Sequence, residues 1–165
     1  MKNLTQLLLP LLLLSCSKEP AQVTERTADE SAYNVRKSVM LDLLNQARGK
    51  GCVCGTTQMP PAPPLAWNDT LARTAYLHSV DMKSKNFLSH TGSDGSGIAE
   101  RVNRQGFGWS SLGENIATGD TSDSTVVAGW LKSEPHCRNI MNPSFRLVGA
   151  GMEQRIWTQV LASRK

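Results

Sequence analysis

Apolar residues recur every fourth position along residues 32–48, which predicts an amphipathic helix with one broad apolar stripe. The repeating positions are Val35, Val39, Leu43 and Ala47, with Met40 and Leu44 beside them. Gly49 and Gly51 follow the stripe and are expected to end the helix, because glycine disfavours a helix interior.

Three more helices are predicted further along the chain. Asn68 is a suitable N-cap for a helix that continues to about Asn86, with Leu71, Ala75 and Met82 among its apolar positions. A short helix is expected from Ile98 to Gln105, and another over residues 123–132. The segment Cys52–Pro64 contains four prolines and is expected to be irregular. Residues 89–97 are rich in glycine and serine and are expected to form a loop.

The periodicity changes towards the end of the sequence. Residues 147–152 and 156–162 are predicted to be two β-strands joined by a polar turn, in an antiparallel pair. Helices that come first and strands that come later favour an α+β sandwich over a doubly wound parallel sheet.

The first residues have the pattern of an export signal. Lys2 precedes an apolar stretch, Leu7–Leu14, that is far shorter than the roughly 20 residues of a membrane-spanning helix. Such a stretch is typical of the apolar region of a signal peptide. Leu13-Leu14-Ser15-Cys16 resembles a bacterial lipobox, in which the cysteine is acylated and becomes the new N-terminus.

These observations divide the chain into three parts. We expect a signal peptide over residues 1–15, lipidated Cys16 with a polar tether over residues 16–30, and a folded domain over residues 31–165. The protein would then be anchored in the cell envelope, in the outer membrane if the cell has one. An ordinary signal peptide, without lipidation and with simple secretion, is the alternative.

Composition limits the possible partners. The chain has 165 residues, a formal net charge of +4 and 39% hydrophobic residues, which suits one domain with a substantial core. Lysine and arginine are scattered and not interleaved with aromatic residues, so we expect no nucleic-acid partner. We expect a monomer that contacts the membrane through its lipid anchor, with a further ligand or envelope partner that the sequence does not name.

Three cysteines follow Cys16, and export permits a disulfide between two of them. A bond between Cys52 and Cys54 would be strained. Cys137 is therefore expected to pair with one of the two, with Cys54 preferred and Cys52 as the alternative. The spacing does not supply the four ligands of a structural zinc site.

The histidines are the first candidates for chemistry. His90 and His136 occur in loop or helix-end contexts, where functional residues are common. Glu114, in an expected turn, has a carboxylate that can orient an imidazole or share a cation with it. A structural, hydrogen-bonded role is the alternative for each. His78 falls on the apolar stripe of its helix and is expected to lie in the core or in a cleft wall.

A series of short motifs resembles the CAP superfamily of SCP-like domains, which includes venom antigens, plant pathogenesis-related proteins and many bacterial secreted domains. Their order and spacing match over about residues 35–162. The motifs are Pro64-Leu65-Ala66-Trp67-Asn68, Leu71 with Ala75, Ser79 to Met82, Ser89-His90-Thr91, Gly113-Glu114-Asn115-Ile116, Trp130 with Ser133, His136 and Asn139, Val148-Gly149-Ala150-Gly151, and Trp157-Thr158-Gln159. The resemblance implies a three-layer α-β-α sandwich with a central antiparallel sheet.

The resemblance also implies a cleft that contains two histidines and two glutamates. His90 corresponds to the first histidine, Glu114 to the first glutamate and His136 to the second histidine. The second glutamate would lie three residues after Trp130, where this chain has Ser133. This departure is typical of bacterial members. The neighbouring Glu134 precedes a proline, which constrains its backbone.

The implied function is that of an extracytoplasmic binding or interaction module. Its cleft would be lined by His90, Glu114, Ser133 and His136, and a divalent metal such as zinc would be held by His90, Glu114 and His136. One alternative is a metal-assisted hydrolase of cell-envelope or peptide substrates, with Glu114 as general base or with Ser133 and His136 as a nucleophilic pair. The sequence contains no H-E-x-x-H helix, and nothing in it marks an oxyanion hole. The other alternative is a structural surface protein with a non-functional cleft.

Overall fold

The computed structural model describes residues 32–165. The expected signal peptide, the acylated Cys16 and the tether lie outside the described residues. The helices are α1 (Lys37–Lys50), α2 (Asp69–Ser84), α3 (Ile98–Arg104), α4 (Asp123–Lys132) and α5 (Glu134–Met141). The strands are β1 (Cys52–Cys54), β2 (Thr57–Met59), β3 (Ala66–Trp67), β4 (Trp109–Thr118), β5 (Leu147–Glu153) and β6 (Ile156–Arg164). A short 3₁₀ turn, Ala32–Asn34, precedes α1.

The central sheet has the strand order β3-β5-β6-β4. Strand β6 pairs antiparallel with both β5 and β4, so the predicted C-terminal antiparallel pair is confirmed. The two-residue strand β3 pairs parallel with β5 at one edge. Strand β4 lies at the other edge and pairs with β6 on its inner side only, among the described strands.

Helices cover both faces of this sheet, which confirms the three-layer α+β sandwich. Helices α2 and α3 pack on one face, and α1, α4 and α5 form the layer on the other. Alternate residues of β6 point to opposite faces, so Trp157 and Leu161 belong to one apolar cluster while Val160 and Ala162 belong to the other.

The face of the sheet beneath α2 is made smooth by two glycines of β5. A Cβ atom on Gly149 would overlap the backbone nitrogen of Ala72, and one on Gly151 would lie 2.5 Å from the Cα atom of Tyr76. The helix therefore rests directly on the strand backbone. Asn68 begins this helix as predicted, because its side chain accepts a hydrogen bond from the backbone N–H of Leu71 (3.0 Å).

Two regions differ from the sequence-based predictions. The sequence predicts a turn at residues 113–116, but these residues lie inside the ten-residue strand β4. The prolines predict an irregular segment Cys52–Pro64, but it begins with an antiparallel hairpin formed by β1 and β2. Glycine and polar residues interrupt the apolar alternation in β4, and β1 and β2 have only three residues each, so neither region carries a clear strand pattern.

Helix α1 also differs in detail. It starts at Lys37 and continues through Gly49 to Lys50. Its fully buried residues are Met40, Leu44 and Arg48. Each lies one residue after a position of the predicted stripe. The Arg48 guanidinium donates to the backbone oxygens of Pro63, Ile140, Asn142 and Phe145, at 2.6–3.0 Å. Burial, together with the charge of Arg146, lowers the pKa of Arg48 to about 10.

A disulfide joins Cys54 to Cys137 and so ties β1 to α5. This confirms the preferred pairing. Among residues 32–165, Cys52 has the one free thiol, and its Sγ lies 3.5 Å from the Sγ of Cys137. Burial raises the pKa of the Cys52 thiol, which favours its protonated form. Cys52, the alternative partner for Cys137 in the sequence-based prediction, is therefore already in contact with Cys137.

We expect Cys137→Ser to lower the free energy of unfolding by about 2–4 kcal/mol, because the lost bond closes a long loop. Cys54→Ser should cost less, because Cys52 can then pair with Cys137. The double variant Cys52→Ser/Cys54→Ser should match Cys137→Ser. Urea unfolding with disulfide mapping by mass spectrometry measures all three. Equal losses in Cys54→Ser and Cys137→Ser, with no Cys52–Cys137 bond, would contradict this expectation.

Candidate functional site

The first histidine and the first glutamate of the expected cleft are in direct contact. His90 lies in the segment between α2 and α3, and Glu114 lies in the middle of β4. The Nδ1 atom of His90 is 2.9 Å from Oε1 of Glu114. An ionised carboxylate only accepts hydrogen bonds, so Nδ1 carries the proton and the Nε2 lone pair is left available. The side chain of His90 is 59% exposed, whereas that of Glu114 is only 4% exposed.

The second oxygen of Glu114 is held by a residue that the sequence analysis missed. Arg101, in α3, donates from Nη2 to Oε2 of Glu114 at 2.7 Å. The same Nη2 donates to the carbonyl of His90 (3.1 Å), and Nη1 donates to the carbonyl of Ser96 (2.7 Å). Both carboxylate oxygens are therefore engaged. An arginine on a short polar helix gives no sign in the sequence that it faces a strand residue.

His136 approaches from the opposite side of the β4 edge. It lies in α5 and is partly buried. Burial lowers the pKa of His136, and the electrostatic effect of His90 lowers it further. Loss of hydration disfavours the imidazolium, so His136 is neutral at neutral pH. The two imidazoles are thus near enough to interact electrostatically.

A chain of hydrogen-bonded amide side chains fixes α5 against β4. The Nδ2 atom of Asn115 donates to Oε1 of Gln159 (2.8 Å) and to the backbone oxygen of His136 (3.2 Å). The Nδ2 atom of Asn139 donates to Oδ1 of Asn115 (2.9 Å) and to the backbone oxygen of Glu114 (3.1 Å). Asn139 and Gln159 belong to the motifs that carry the resemblance. The structure gives them a physical role, which is to position the helix that bears His136.

Ser133 lies at the junction between α4 and α5, where it follows the last residue of one helix and precedes the first of the next. Its backbone is extended, and its side chain makes no capping hydrogen bond to α5. Among residues 32–165, no hydrogen bond joins the Ser133 hydroxyl to His136, which is the contact that a nucleophilic Ser133–His136 pair would use.

His78 is buried, as expected, and supports the segment that carries His90. Its Nε2 lies 2.9 Å from the backbone oxygen of Ser89. Burial lowers the pKa of His78, and this outweighs the opposing effect of the Glu114 charge. A neutral ring with Nε2 protonated therefore fits this position.

The ligand atoms of His90, Glu114 and His136 are not gathered as closely as a bound ion would gather them. Among residues 32–165, the one group of three possible metal ligands whose atoms all lie within 4.8 Å is Cys52, Cys54 and Cys137. Two of those sulfurs form the disulfide. Near β4, His90 and His136 can each supply a ring nitrogen lone pair. Both oxygens of Glu114 already accept hydrogen bonds, from His90 and Arg101.

Comparisons with known proteins agree with this fold. The profile of the cysteine-rich secretory protein family, CAP, matches residues 41–155. The chain belongs to this family. The match covers most of the residues that build both helical layers and the sheet.

Two relatives share close to a third of their residues with this chain. The uncharacterized protein YkwD of Bacillus subtilis (strain 168) is 31% identical over 150 residues, which are 88% of this chain and 55% of YkwD. An extracellular protein with an SCP domain from Bacillus anthracis str. Ames has a crystal structure with a TM-score of 0.69 and 32% identity, covering 78% of this chain and 40% of that one. The chain therefore spans about half of the length of these relatives, or less.

A more distant structure shares the fold alone. An outer surface protein from Borrelia burgdorferi has a TM-score of 0.64 and 19% identity, and the match covers 78% of this chain and 92% of that one. Within residues 32–165, no helix combines the length and the apolar character needed to cross a membrane.

The lowered pKa values of His78 and His136 predict a loss of stability at mildly acidic pH. Both rings bind a proton less readily in the folded state than in the unfolded chain, so unfolding takes up protons. Their contribution to stability is complete above the unfolded pKa of about 6.5 and declines as the pH falls below it. We expect His136→Gln to reduce the slope of unfolding free energy against pH between about pH 6.5 and 5. Urea titrations at several pH values measure this slope, and identical slopes for the two proteins would exclude the effect for His136.

Proposed function

We propose that this protein is an exported, lipid-anchored CAP-domain binding module, and that the edge of β4 binds a divalent metal ion weakly through His90 and His136. The observation that carries the metal site is the pair of imidazoles that interact electrostatically, His90 and His136, the first of which is fixed by Glu114. Export is supported by the likeness to the extracellular SCP-domain protein and by the lipobox-like Leu13-Leu14-Ser15-Cys16.

Glu114 orients His90 in this proposal and is not itself a ligand. A metal-binding histidine commonly donates its second ring N–H to a carboxylate, which fixes the tautomer and the direction of the ring. The contact between His90 Nδ1 and Glu114 Oε1 has this form. Nε2 of His90 is then the ligand atom. His136 is suited to the same role, because its lowered pKa keeps a ring lone pair free at neutral pH.

Two protein ligands leave most of the coordination positions of the ion open. A closed structural zinc site has four protein ligands, and a catalytic one usually has three. The β4 edge supplies fewer, so we infer weak binding that leaves positions for a group from a partner. This is the arrangement of an interaction module more than that of a structural metal site.

A hydrolase is the less favoured alternative. A general base must be free to accept a proton from water. Both oxygens of Glu114 already accept hydrogen bonds, and the one from Arg101 is charge-assisted, so neither oxygen is free to accept from a water molecule. The Ser133 hydroxyl makes no hydrogen bond to His136 in the described residues, so the nucleophilic pair is not supported either.

Zinc titration by calorimetry tests the site. All proteins carry Cys52→Ser, so that the free thiol does not contribute. We expect His90→Ala and His136→Ala each to weaken zinc binding by about tenfold or more, because each removes one ligand of the proposed pair. Glu114→Gln should weaken it by about 10–100-fold, the usual effect of losing an orienting carboxylate.

Asp42→Asn, which changes an exposed acid on α1, is the matched control and should bind zinc like the parent. Circular dichroism confirms that each variant is folded. An unchanged zinc affinity in His90→Ala would show that the site is wrongly assigned. Equal losses in Asp42→Asn would show that binding follows net charge only.

The lipid anchor is tested separately by intact mass spectrometry of the protein from its native membrane. We expect a mature chain that begins at Cys16 and carries acyl chains, because stable anchoring by lipid requires more than one chain. Cys16→Ser should abolish the added mass. A mature chain that lacks lipid would contradict the anchor and leave an exported, unanchored protein.

A further inference from the structure

Three sulfur atoms meet where the hairpin of β1 and β2 packs on α5. The Sγ atoms of Cys52, Cys54 and Cys137 all lie within 4.8 Å of one another. The thiol of Cys52 lies 3.5 Å from one sulfur of the disulfide, that of Cys137, and 4.0 Å from the other. Thiol–disulfide exchange begins when a thiolate attacks a sulfur of a disulfide. A free thiol in contact with a disulfide is therefore the arrangement from which exchange starts.

Strand β1 presents both of its cysteines to the same partner. Residues two apart on a strand point to the same face, and only Val53, which is 58% exposed, separates Cys52 from Cys54. Sγ of Cys137 lies 3.9 Å from the backbone oxygen of Val53, so it lies over the middle of β1. The two-stranded sheet of this hairpin is separate from the central sheet. A small adjustment of β1 therefore changes the partner of Cys137 and leaves the central sheet as it is.

The geometry of β1 selects Cys137 as the sulfur that is attacked. A bond between Cys52 and Cys54 would need Cβ atoms about 3.5–4.5 Å apart, whereas residues two apart on a strand are separated by about 6.5 Å. Attack on Cys54 is therefore disfavoured while β1 keeps its pairing with β2. The Cys52 thiol now lies beside the disulfide, so its side chain must rotate to reach the far side of the Cys137 sulfur. Cys52 is only partly buried, which leaves room for this rotation.

We propose that these three cysteines form a disulfide-exchange centre, in which Cys52 displaces Cys54 from Cys137. The Cys52 thiol loses its proton, and the thiolate forms a new bond to Sγ of Cys137. The bond between Cys54 and Cys137 breaks, and Sγ of Cys54 leaves with the electron pair of that bond and takes up a proton. One disulfide and one thiol are present before and after the step, so it needs no oxidant or reductant.

The exchange changes which thiol is free and does not release α5. Cys137 is bonded to β1 in both isomers, so the helix that carries His136 stays tied to the hairpin. The free thiol changes from Cys52, which is partly exposed, to Cys54, which is fully buried. An accessible thiol is open to capture by an external thiol-reactive group, whereas a buried one is protected. Because burial raises the pKa of the Cys52 thiol, little thiolate is present at neutral pH and exchange is slow there.

The test uses the full chain with Cys16→Ser, so that only these three sulfurs take part. The reduced, unfolded chain is oxidised, and its single-disulfide isomers are separated by reversed-phase chromatography at low pH, where the lack of thiolate stops exchange. Each isomer is then folded and incubated at about pH 8.5 without added thiol, a pH at which an ordinary thiol is partly ionised. Acidified samples are digested with pepsin, and fragmentation in the mass spectrometer locates the free thiol.

We expect the isomer with a Cys52–Cys137 bond to convert to the isomer with a Cys54–Cys137 bond within minutes to hours. This conversion is the reverse of the proposed step and follows the same path. Its rate should be unchanged by about tenfold dilution, because the step occurs within one chain. No Cys52–Cys54 bond should form in the folded protein, whereas all three pairings should appear in urea. Alkylation of the free thiol before the incubation is the control and should preserve the starting pairing.

The proposal is overturned if the Cys52–Cys137 isomer remains unchanged for about one day, since uncatalysed rearrangement takes minutes to hours. It is equally overturned if the rate falls in proportion on dilution, which would show exchange between molecules. Accumulation of a Cys52–Cys54 bond in the folded protein would show that β1 does not direct the attack. Circular dichroism follows the fold of both isomers, and an exchanged isomer that does not fold also contradicts the proposal, because both pairings must fit the same hairpin.

Discussion

The buried carboxylate of Glu114 is the constraint on which the arrangement at the β4 edge depends. A charged group that leaves water without partners is strongly destabilising, so its partners must be supplied by the fold. Arg101 and His90 supply them, one for each oxygen. Arg101 is itself held in place, because its remaining bonds reach the carbonyls of His90 and Ser96. The charge on β4 therefore fixes both the position of α3 and the path of the segment that carries His90.

The neighbouring residue of β4 fixes the opposite layer. Because consecutive side chains of a strand point to opposite faces, Asn115 faces α5 where Glu114 faces α3. The amide chain from Gln159 through Asn115 to Asn139 then places the helix of His136. Two adjacent residues, Glu114 and Asn115, thus organise the two helical layers around one open edge. Glu114 thus contacts His90 directly, and Asn115 contacts the backbone of His136.

Local periodicity predicts the parts of this fold that have strong local patterns. The N-cap at Asn68, the helix that follows it and the C-terminal strand pair are all evident, because their apolar spacing is regular over many residues. Strand β4 is not evident, because Gly113, Glu114 and Asn115 interrupt its alternation. The buried stripe of α1 includes Arg48, a charged residue that the core accepts through four backbone carbonyls. Hydrogen bonds to carbonyls that are distant along the chain cannot be recognised from the sequence.

The same limit applies to the site. The family resemblance identifies His90 and Glu114, and the structure joins them, but the role of Glu114 depends on Arg101, which no motif names. A carboxylate with both oxygens engaged acts as a fixed acceptor that orients an imidazole, whereas a free one would be a metal ligand or a base.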